Sequence, residues 1–187
     1  MLLTITGPSA SGKSSLAHAI QDIRGDAQIL PSVTTRPARK SDRPGEYRFE
    51  TLDTFAALEK AGAFAWTVEA HGHRYGTLKE DIARAVNTPG VVMAVVVVEG
   101  VKNLHAYLNK VHAGAKIASI YLDHTSEELL RSRLLKRGDD PADIERRIME
   151  CRTWAQERDE SGVPFIIKNA STESAPLAKE VLTELNI

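Results

Sequence analysis

Residues 4–16 read TITGPSASGKSSL. The stretch fits the phosphate-loop pattern G-x-x-x-x-G-K-[ST] at every fixed position: Gly7, Gly12, Lys13 and Ser14. The apolar run at residues 2–6 predicts a strand, and apolar residues at helical spacing predict a helix over residues 14–23. A strand, a glycine turn and a helix N-terminus place backbone N–H groups around phosphate oxygens. The stretch therefore predicts a nucleotide-binding P-loop.

Each position of this loop has an expected task. The residues expected to bind the nucleotide are Gly7, Ser9, Ala10, Ser11, Gly12, Lys13, Ser14 and Ser15. In this motif the lysine reaches the β- and γ-phosphates, which makes Lys13 a candidate catalytic residue. The hydroxyl that follows it ligates Mg²⁺, so Ser14 is the candidate metal ligand.

The composition narrows the function classes further. The chain has 187 residues and a formal net charge of −1, which argues against a global role in binding nucleic acid or a membrane surface. The longest apolar run, residues 91–98, is too short for a membrane span and fits a buried strand. Met1 runs directly into the first strand, and Cys151 is the only cysteine. These features predict a cytoplasmic protein with no leader segment and no internal disulfide.

The order of the predicted elements indicates an α/β fold. The predicted strands cover residues 2–6, 28–33, 91–98, 116–122 and 164–167. The predicted helices cover 14–23, 101–112, a segment that starts in a capping box at Thr125 or Ser126 with Glu128, 142–157 and 173–185. Strands that alternate with helices predict an open parallel sheet. The β-branched run at 91–98 is typical of its central strand.

One segment interrupts this alternation. Residues 33–85 contain short extended runs separated by turns, and they predict an inserted, mostly antiparallel lobe. The chain is therefore expected to be a single domain, residues 1–187, with a core of residues 1–32 and 86–187. A glycine break after Arg137 separates two helices and suggests a short lid at about residues 136–147.

Arginines and tyrosines supply a candidate second phosphate site. Arg36 and Arg39 lie on a loop bounded by threonine and proline, and Tyr47 and Tyr75 are expected nearby. Guanidinium forks and phenol hydroxyls together suit a phosphate monoester.

More arginines flank the predicted lid: Arg131, Arg133, Arg137, Arg146 and Arg147. Several cations around a transferring phosphoryl group neutralise its charge, and Arg137 and Arg147 are the candidates selected for that task. The alternative is that some of these arginines only complement a helix C-terminus.

The chain resembles the guanylate kinase family over nearly its whole length. The matching stretches are residues 7–16, 32–39, 44–49, 72–77 and 133–138. The resemblance implies a three-layer P-loop kinase fold with a parallel central sheet, a mobile acceptor-binding lobe and a short lid. It assigns Arg133, Arg137 and Arg147 to the reacting phosphates and Asn169 to the region around the adenine of ATP. The residues it assigns to the acceptor are Ser32, Arg36, Arg39, Tyr47, Tyr75 and Thr77.

The sequence departs from the family where the acceptor's guanine would bind. Family members carry an acidic residue before a tryptophan and an Asp-x-Asp pair on the central strand. Here Trp66 stands at the first position, and Val95 and Val97 stand at the pair. Loss of a carboxylate that accepts two N–H groups is costly. Glu69 and Glu99 are the candidates that would replace it.

Residues 61–65 and 69–76 resemble a sister family, ribose 1,5-bisphosphate phosphokinase. That family also lacks the acidic pair. Ser14 and Tyr47, however, are guanylate kinase features.

We therefore expect an ATP- and Mg²⁺-dependent kinase that phosphorylates GMP or a nucleoside monophosphate with another base. The alternatives are a ribose 1,5-bisphosphate kinase that makes 5-phosphoribosyl diphosphate and a non-catalytic binding module. The expected partner is the small phosphorylated acceptor, with no nucleic acid or membrane, in a monomer or homodimer.

Overall fold

A computed structural model describes residues 1–39, 42–123 and 126–187. In this part of the chain the strands are β1 (Leu2–Thr6), β2 (Gln28–Ile29), β3 (Ser32–Thr34), β4 (Tyr47–Phe49), β5 (Phe64–Ala70), β6 (His73–Leu78), β7 (Val92–Val95), β8 (Ile117–Asp123) and β9 (Ile166–Asn169). The helices are α1 (Lys13–Ile23), α2 (Leu52–Lys60), α3 (Lys79–Asn87), α4 (Val98–Val111), α5 (Glu127–Arg137), α6 (Pro141–Cys151), α7 (Trp154–Glu160) and α8 (Ser174–Glu184).

The central sheet is parallel, as predicted. Its strand order is β2-β7-β1-β8-β9, and every pairing within it is parallel. β1 lies at the centre, with Ile5 in register with Val95 on one side and Ile120 on the other. Because the strands are parallel, their C-terminal ends meet at one edge, where α/β folds place their ligand sites. The P-loop, which follows β1, begins at this edge.

Helices cover both faces of this sheet. On one face, Leu3 and Ile5 pack with Leu16 of α1 and Val181 of α8. On the other face, Leu2 and Val92 pack with Leu104 of α4 and Ile82 of α3. Burying apolar side chains on both faces gives the three-layer arrangement.

A second sheet has the order β4-β3-β6-β5. Its β3–β4 pairing is parallel, and its β3–β6 and β5–β6 pairings are antiparallel. The sheet has a small core of its own, in which Phe55 stacks on Phe64 with ring centroids 4.6 Å apart. Trp66 of β5, however, belongs to the cluster formed by α3, α4 and the central sheet. The two sheets therefore share buried surface.

Two predicted strands are shorter in the structure. Residues 28–33 form β2 in the central sheet and β3 in the second sheet, because Pro31 between them has no N–H to donate to a ladder. The predicted strand 91–98 ends at Val95, and Val98 already begins α4. The strand stops where its partner β1 turns into the P-loop, so tertiary context overrides the β preference of valine.

One helix prediction is corrected, and the structure identifies the cap of another helix. The helix expected over 142–157 is interrupted after Cys151, where the Thr153 hydroxyl donates to the Glu150 carbonyl oxygen at 3.0 Å and competes with the backbone ladder. At the start of α5, the Ser126 hydroxyl accepts a hydrogen bond from the Leu129 N–H at 3.2 Å and is the N-cap. Thr125, the other candidate for that cap, lies outside the described residues.

Within the ranges given above, none of the helices is long and apolar enough to cross a membrane.

Candidate active site

The P-loop has a backbone that glycine makes possible. Gly7 and Gly12 have φ angles of 143° and 100°, and Ala10 between them has a φ of 61°. A Cβ at Gly7 would lie 2.5 Å from the carbonyl oxygen of Leu122, so a side chain there would collide with β8. The loop then passes directly into α1, with Gly12 as its N-cap residue. This geometry supplies the N–H groups and helix N-terminus that bind phosphate.

Lys13 is folded over this loop. Its Nζ donates to the carbonyl oxygens of Gly7 and Pro8, each at 2.7 Å, and lies 5.6 Å from the centroid of the Trp154 ring. Burial lowers the pKa of Lys13 to about 7, and three neighbouring arginines lower it in the same direction. Lys13 is thus a cation whose charge depends on its surroundings, and an anionic phosphate would stabilise its protonated form.

Arg36 belongs to the candidate second phosphate site and lines the cleft. Its side chain is buried, with the guanidinium 4.3 Å from the centroid of the Tyr47 ring. Both terminal nitrogens donate to the Asp42 carboxylate at 2.8 Å, and one also donates to the Pro37 carbonyl oxygen. Burial works to raise the pKa of Asp42, but hydrogen bonds from Arg36 and from the Arg39 N–H lower it overall. A rigid cationic fork is therefore held in place beside a tyrosine.

Arg39 is the second arginine of this candidate phosphate site. It lines the same cleft, and within the described ranges no carboxylate lies within ion-pair distance of its guanidinium. Burial lowers the pKa of Arg39, and the charges of Arg36, Arg137 and Arg147 act in the same direction. Cations this close to one another favour an anion between them.

Two arginines from the predicted lid meet on one carboxylate. Arg137 donates through Nε and a terminal nitrogen to Asp139, with the Nε contact at 2.8 Å. The Nε of Arg147 lies 3.5 Å from the same carboxylate, and a terminal nitrogen of Arg147 donates to the Ser9 hydroxyl at 2.8 Å. Arg147 is buried, so it connects α6 to the P-loop inside the protein.

Arg133 is placed differently from the other lid arginines. Its two terminal nitrogens donate to the carbonyl oxygens of Ala10 and Ala170, at 3.1 and 3.0 Å. It thereby joins α5, the P-loop and the loop after β9. This side chain lines the cleft, but its recorded contacts are with the protein backbone.

Part of the cleft lining is apolar. It is lined by Trp66 and Val68 of β5 and by Val95, Val96 and Val97 at the end of β7. A Cβ built on Gly100 would lie 2.7 Å from Cη2 of the Trp66 ring, so the ring packs directly on α4.

These groups line one cleft of about 530 Å³. The predicted site residues that line it are Ser9, Ala10, Ser11, Gly12, Lys13, Ser14, Ser15, Ser32, Arg36, Arg39, Tyr47, Tyr75, Arg133, Arg137 and Arg147. The fold thus brings the P-loop, the acceptor arginines and the lid arginines together.

Other predicted residues lie outside the lining. The Gly7 carbonyl oxygen accepts a hydrogen bond from Lys13, and Thr77 is buried. The Asn169 side chain accepts hydrogen bonds from the N–H and hydroxyl of Ser171, which shapes a loop whose neighbours Ala170 and Thr172 do line the cleft.

Glu69 and Glu99, the candidates for guanine recognition, are exposed and are not part of the cleft. Successive side chains of a strand point to opposite faces. Because Trp66 and Val68 of β5 face the cleft, Glu69 faces away from it.

Sequence reasoning missed several polar residues at this site. Asp42 and Asp139 hold arginines, and each lies within a few residues of the arginine it binds, which is a usable sequence signal. His18 of α1 contacts the buried Glu46 carboxylate, and His71 Nδ1 lies 2.6 Å from Glu150 Oε2. Burial lowers the pKa of His71, although Glu150 acts in the opposite direction. Residues so distant in sequence gave no signal.

The donors available for a metal ion are few. Over the described residues, no three acidic, histidine or cysteine side chains come together as a metal-binding group. The Ser14 hydroxyl lines the cleft at the first turn of α1, where the P-loop pattern expects its magnesium ligand. Mg²⁺ commonly keeps several waters and binds through substrate phosphates with only one or two protein ligands. The residues present therefore fit a magnesium ion that is bound together with a nucleotide.

Comparison with known proteins gives consistent results. A family model described as guanylate kinase matches residues 1–183. Curated guanylate kinases from Polaromonas sp. and Helicobacter pylori are 33% and 32% identical over 177 and 153 residues, covering 93% and 80% of this chain and 82% and 71% of theirs. One from Anaeromyxobacter dehalogenans is 32% identical over 81% of this chain, and the match spans 66% of that enzyme's length.

Solved structures show the same fold. Guanylate kinase from Anaplasma phagocytophilum superimposes with a TM-score of 0.69 at 19% identity, covering 100% of this chain and 84% of that one. The Bacillus subtilis YorR protein, solved in complex with phosphorylated GDP, superimposes with a TM-score of 0.58 at 13% identity, covering 100% and 96%. The predicted P-loop kinase fold is confirmed by these likenesses.

Proposed function

The chain belongs to the guanylate kinase family, and we propose that it transfers the γ-phosphoryl group of ATP to the phosphate of a nucleoside monophosphate. Membership of the family makes it a phosphotransferase of the nucleoside monophosphate kinase type. The finer proposal concerns the substrates: ATP with Mg²⁺ is the donor, and GMP or a monophosphate with another base is the acceptor.

One observation carries the proposal. The P-loop and the cluster of Arg36, Arg39, Tyr47 and Tyr75 line the same cleft, so two separate sets of residues that would bind phosphate face one space. A simple nucleotide-binding module needs only the first set. A kinase that acts on a phosphorylated acceptor needs both, with the acceptor phosphate held close to the transferring group.

The side chains divide the work of binding and charge stabilisation. Arg36 and Arg39 would bind the acceptor phosphate, and the Tyr47 and Tyr75 hydroxyls would orient it. Lys13 would bind the β- and γ-phosphates of ATP. During transfer, a phosphate oxygen of the acceptor bonds to the γ-phosphorus as the bond to the bridging oxygen breaks, and ADP leaves. Arg137 and Arg147 would neutralise the charge on the transferring group.

Mg²⁺ would be held by the Ser14 hydroxyl together with phosphate oxygens and water, and it would neutralise charge on the β- and γ-phosphates. The Ser9 hydroxyl, which accepts a hydrogen bond from Arg147, would help to keep this arginine against the P-loop.

The alternatives fare less well. The matching relatives described above are guanylate kinases, and they do not favour the ribose 1,5-bisphosphate kinase. A non-catalytic module would not need Lys13, Arg39, Arg137 and Arg147 to converge on one cleft. A cytoplasmic location and a monomeric or homodimeric state stay predictions.

The test is a coupled assay of ADP release with ATP, Mg²⁺ and GMP, AMP, CMP or UMP. We expect ADP release that depends on an acceptor in the wild-type chain and its loss in Lys13→Met. Lys110→Met is the matched control, because Lys110 is an exposed residue of α4 outside the cleft. No acceptor-dependent ADP release, or a folded Lys13→Met variant with the wild-type rate, would refute the proposal.

A further inference from the structure

Part of the apolar lining adjoins the proposed acceptor-phosphate site. Tyr75 of β6 is in register with Val68 of the neighbouring strand β5, and both line the cleft. Trp66, two residues before Val68 on the same face of β5, continues the wall. Whatever is attached to a phosphate bound by Arg36, Arg39 and Tyr75 would therefore meet Val68 and Trp66.

Apolar side chains from the central sheet line the same cleft. Val95 and Val97 line the cleft at the C-terminal end of β7, next to the P-loop strand β1. Trp66 is only 7% exposed, and its ring is fixed by the close packing on Gly100. These side chains give the cleft an apolar surface, which suits a flat ring held by contact area.

A carboxylate that lines the cleft could accept hydrogen bonds from the base of the acceptor. Over the described residues, Asp42 is the only carboxylate that lines the cleft, and both its oxygens accept from Arg36. Glu69 faces away from the cleft, and Glu99 is exposed on α4 outside it. The base of guanine presents a ring N–H and an amino group, which are donors that a carboxylate would best satisfy. Among the described residues, no such carboxylate is free to bind a base in the cleft.

Building on the proposed function, we infer that this kinase selects its acceptor by the phosphate and holds the base by apolar contact with Trp66, Val95 and Val97, so that it accepts nucleoside monophosphates with different bases. Trp66 is the main base-binding residue in this arrangement. Sites that hydrogen-bond a substrate group reject analogues without it by about 10⁴–10⁵-fold, whereas apolar contacts discriminate by about 10–200-fold. The ratio of kcat/KM values therefore reports which kind of recognition operates.

The decisive experiment measures kcat/KM for GMP, AMP, CMP and UMP at saturating ATP and Mg²⁺. We expect the four values to fall within about 200-fold of one another. A preference for GMP above that range would overturn the inference while the proposed function stands. Should no acceptor be phosphorylated, the proposed function fails, and direct binding of the four monophosphates, measured by calorimetry, decides the inference by the same threshold.

A second experiment tests the role of Trp66 through its neighbour. In Gly100→Ala, the new methyl group would lie 2.7 Å from the Trp66 ring and would push it toward the cleft. We expect the acceptor KM to rise at least fivefold for every monophosphate, with the ATP KM unchanged. Gly25→Ala is the matched control, since a Cβ there meets no atom within 4 Å.

A folded Gly100→Ala variant with an unchanged acceptor KM, or with ATP and acceptor KM raised equally, would contradict a base-binding role for Trp66. Trp66→Phe keeps an aromatic ring and removes the indole N–H, which has no hydrogen-bond partner in the described structure. We expect this variant to keep the wild-type order of acceptors, because the inference assigns recognition to the ring surface. A changed order would show that the N–H reads the base and would overturn the inference.

Discussion

The Asp42 carboxylate receives both terminal nitrogens of the Arg36 guanidinium, each at 2.8 Å. The two side chains are only 12% and 3% exposed, so this is a buried ion pair inside the proposed acceptor site. The pair fixes the orientation of the Arg36 guanidinium and its N–H donors. Arg36 therefore also contributes to the stability of the fold through an ion pair, which Arg39 does not. The two acceptor arginines should therefore respond differently to mutation.

Arg36→Ala should destabilise the fold. Removing one partner leaves the Asp42 carboxylate buried and unpaired, and breaking a buried pair in this way typically costs about 3–5 kcal/mol. Denaturant unfolding measures the loss. The double variant Arg36→Ala/Asp42→Ala should recover part of it, because no unpaired charge remains. Equal stability of the single and double variants would contradict this account.

Arg39→Ala should spare stability and weaken acceptor binding. Its guanidinium has no recorded carboxylate partner in the described chain, and a charge-assisted hydrogen bond to phosphate contributes about 1.5–3 kcal/mol. We expect the acceptor KM to rise about tenfold to a hundredfold, with little change in the ATP KM. Arg24→Ala serves as the control, since Arg24 pairs with Asp26 on the surface. A change confined to the ATP KM would place Arg39 outside the acceptor site.

Arg147→Ala should lower kcat, whereas Arg146→Ala should not. Arg147 is buried against Ser9, while its neighbour Arg146 is exposed and pairs with Asp143 and Glu150. Loss of a donor that stabilises charge in the transition state typically costs about 10²–10³-fold in kcat. Steady-state kinetics of both variants gives the comparison. A similar kcat in the two would refute the assignment of Arg147 to the transferring group.

The pH dependence of activity should report Lys13. Burial, reinforced by neighbouring arginines, lowers the pKa of Lys13 to about 7, so the charged form that attracts phosphate predominates below that pH. We expect kcat/KM for ATP to fall as pH rises through about 7. In Lys13→Arg, whose side chain stays charged, the remaining activity should show no fall in that range. A flat wild-type profile between pH 6 and 9 would argue against this role.

The stability of the fold should rise with pH, whereas the activity falls, and the rise should extend from about pH 7 to 10.5. The folded-state pKa of Lys13, about 7, lies below its ordinary value of 10.5, so the folded chain binds fewer protons between these two pH values. The contribution of Lys13 to the free energy of unfolding therefore rises with pH between about 7 and 10.5. It is smallest below about pH 7, where Lys13 is protonated in both states. Lys13→Met should remove this slope and be more stable than wild type at pH 6. Denaturant unfolding at several pH values checks both points.

Patterns within short stretches of sequence predict the elements that depend on neighbouring residues. A P-loop is predicted by the pattern at Gly7, Gly12, Lys13 and Ser14. The glycine turn and the helix start that form it lie within about ten residues of one another in the chain. Apolar periodicity likewise predicted the alternating strands and helices, and the parallel sheet follows from their order. The boundaries at Val95 and Cys151 were wrong, since partner strands and local side-chain hydrogen bonds set them.

The tertiary structure alone decided how the site is put together. Arg147 and Ser9 are 138 residues apart, Arg133 and Ala10 are 123 apart, and each pair meets only when separate helices pack on the sheet. The same packing turns Trp66 into the cleft and Glu69 out of it. A residue type shows which contacts are chemically possible. Burial, register and the charges brought together by folding determine which of them form.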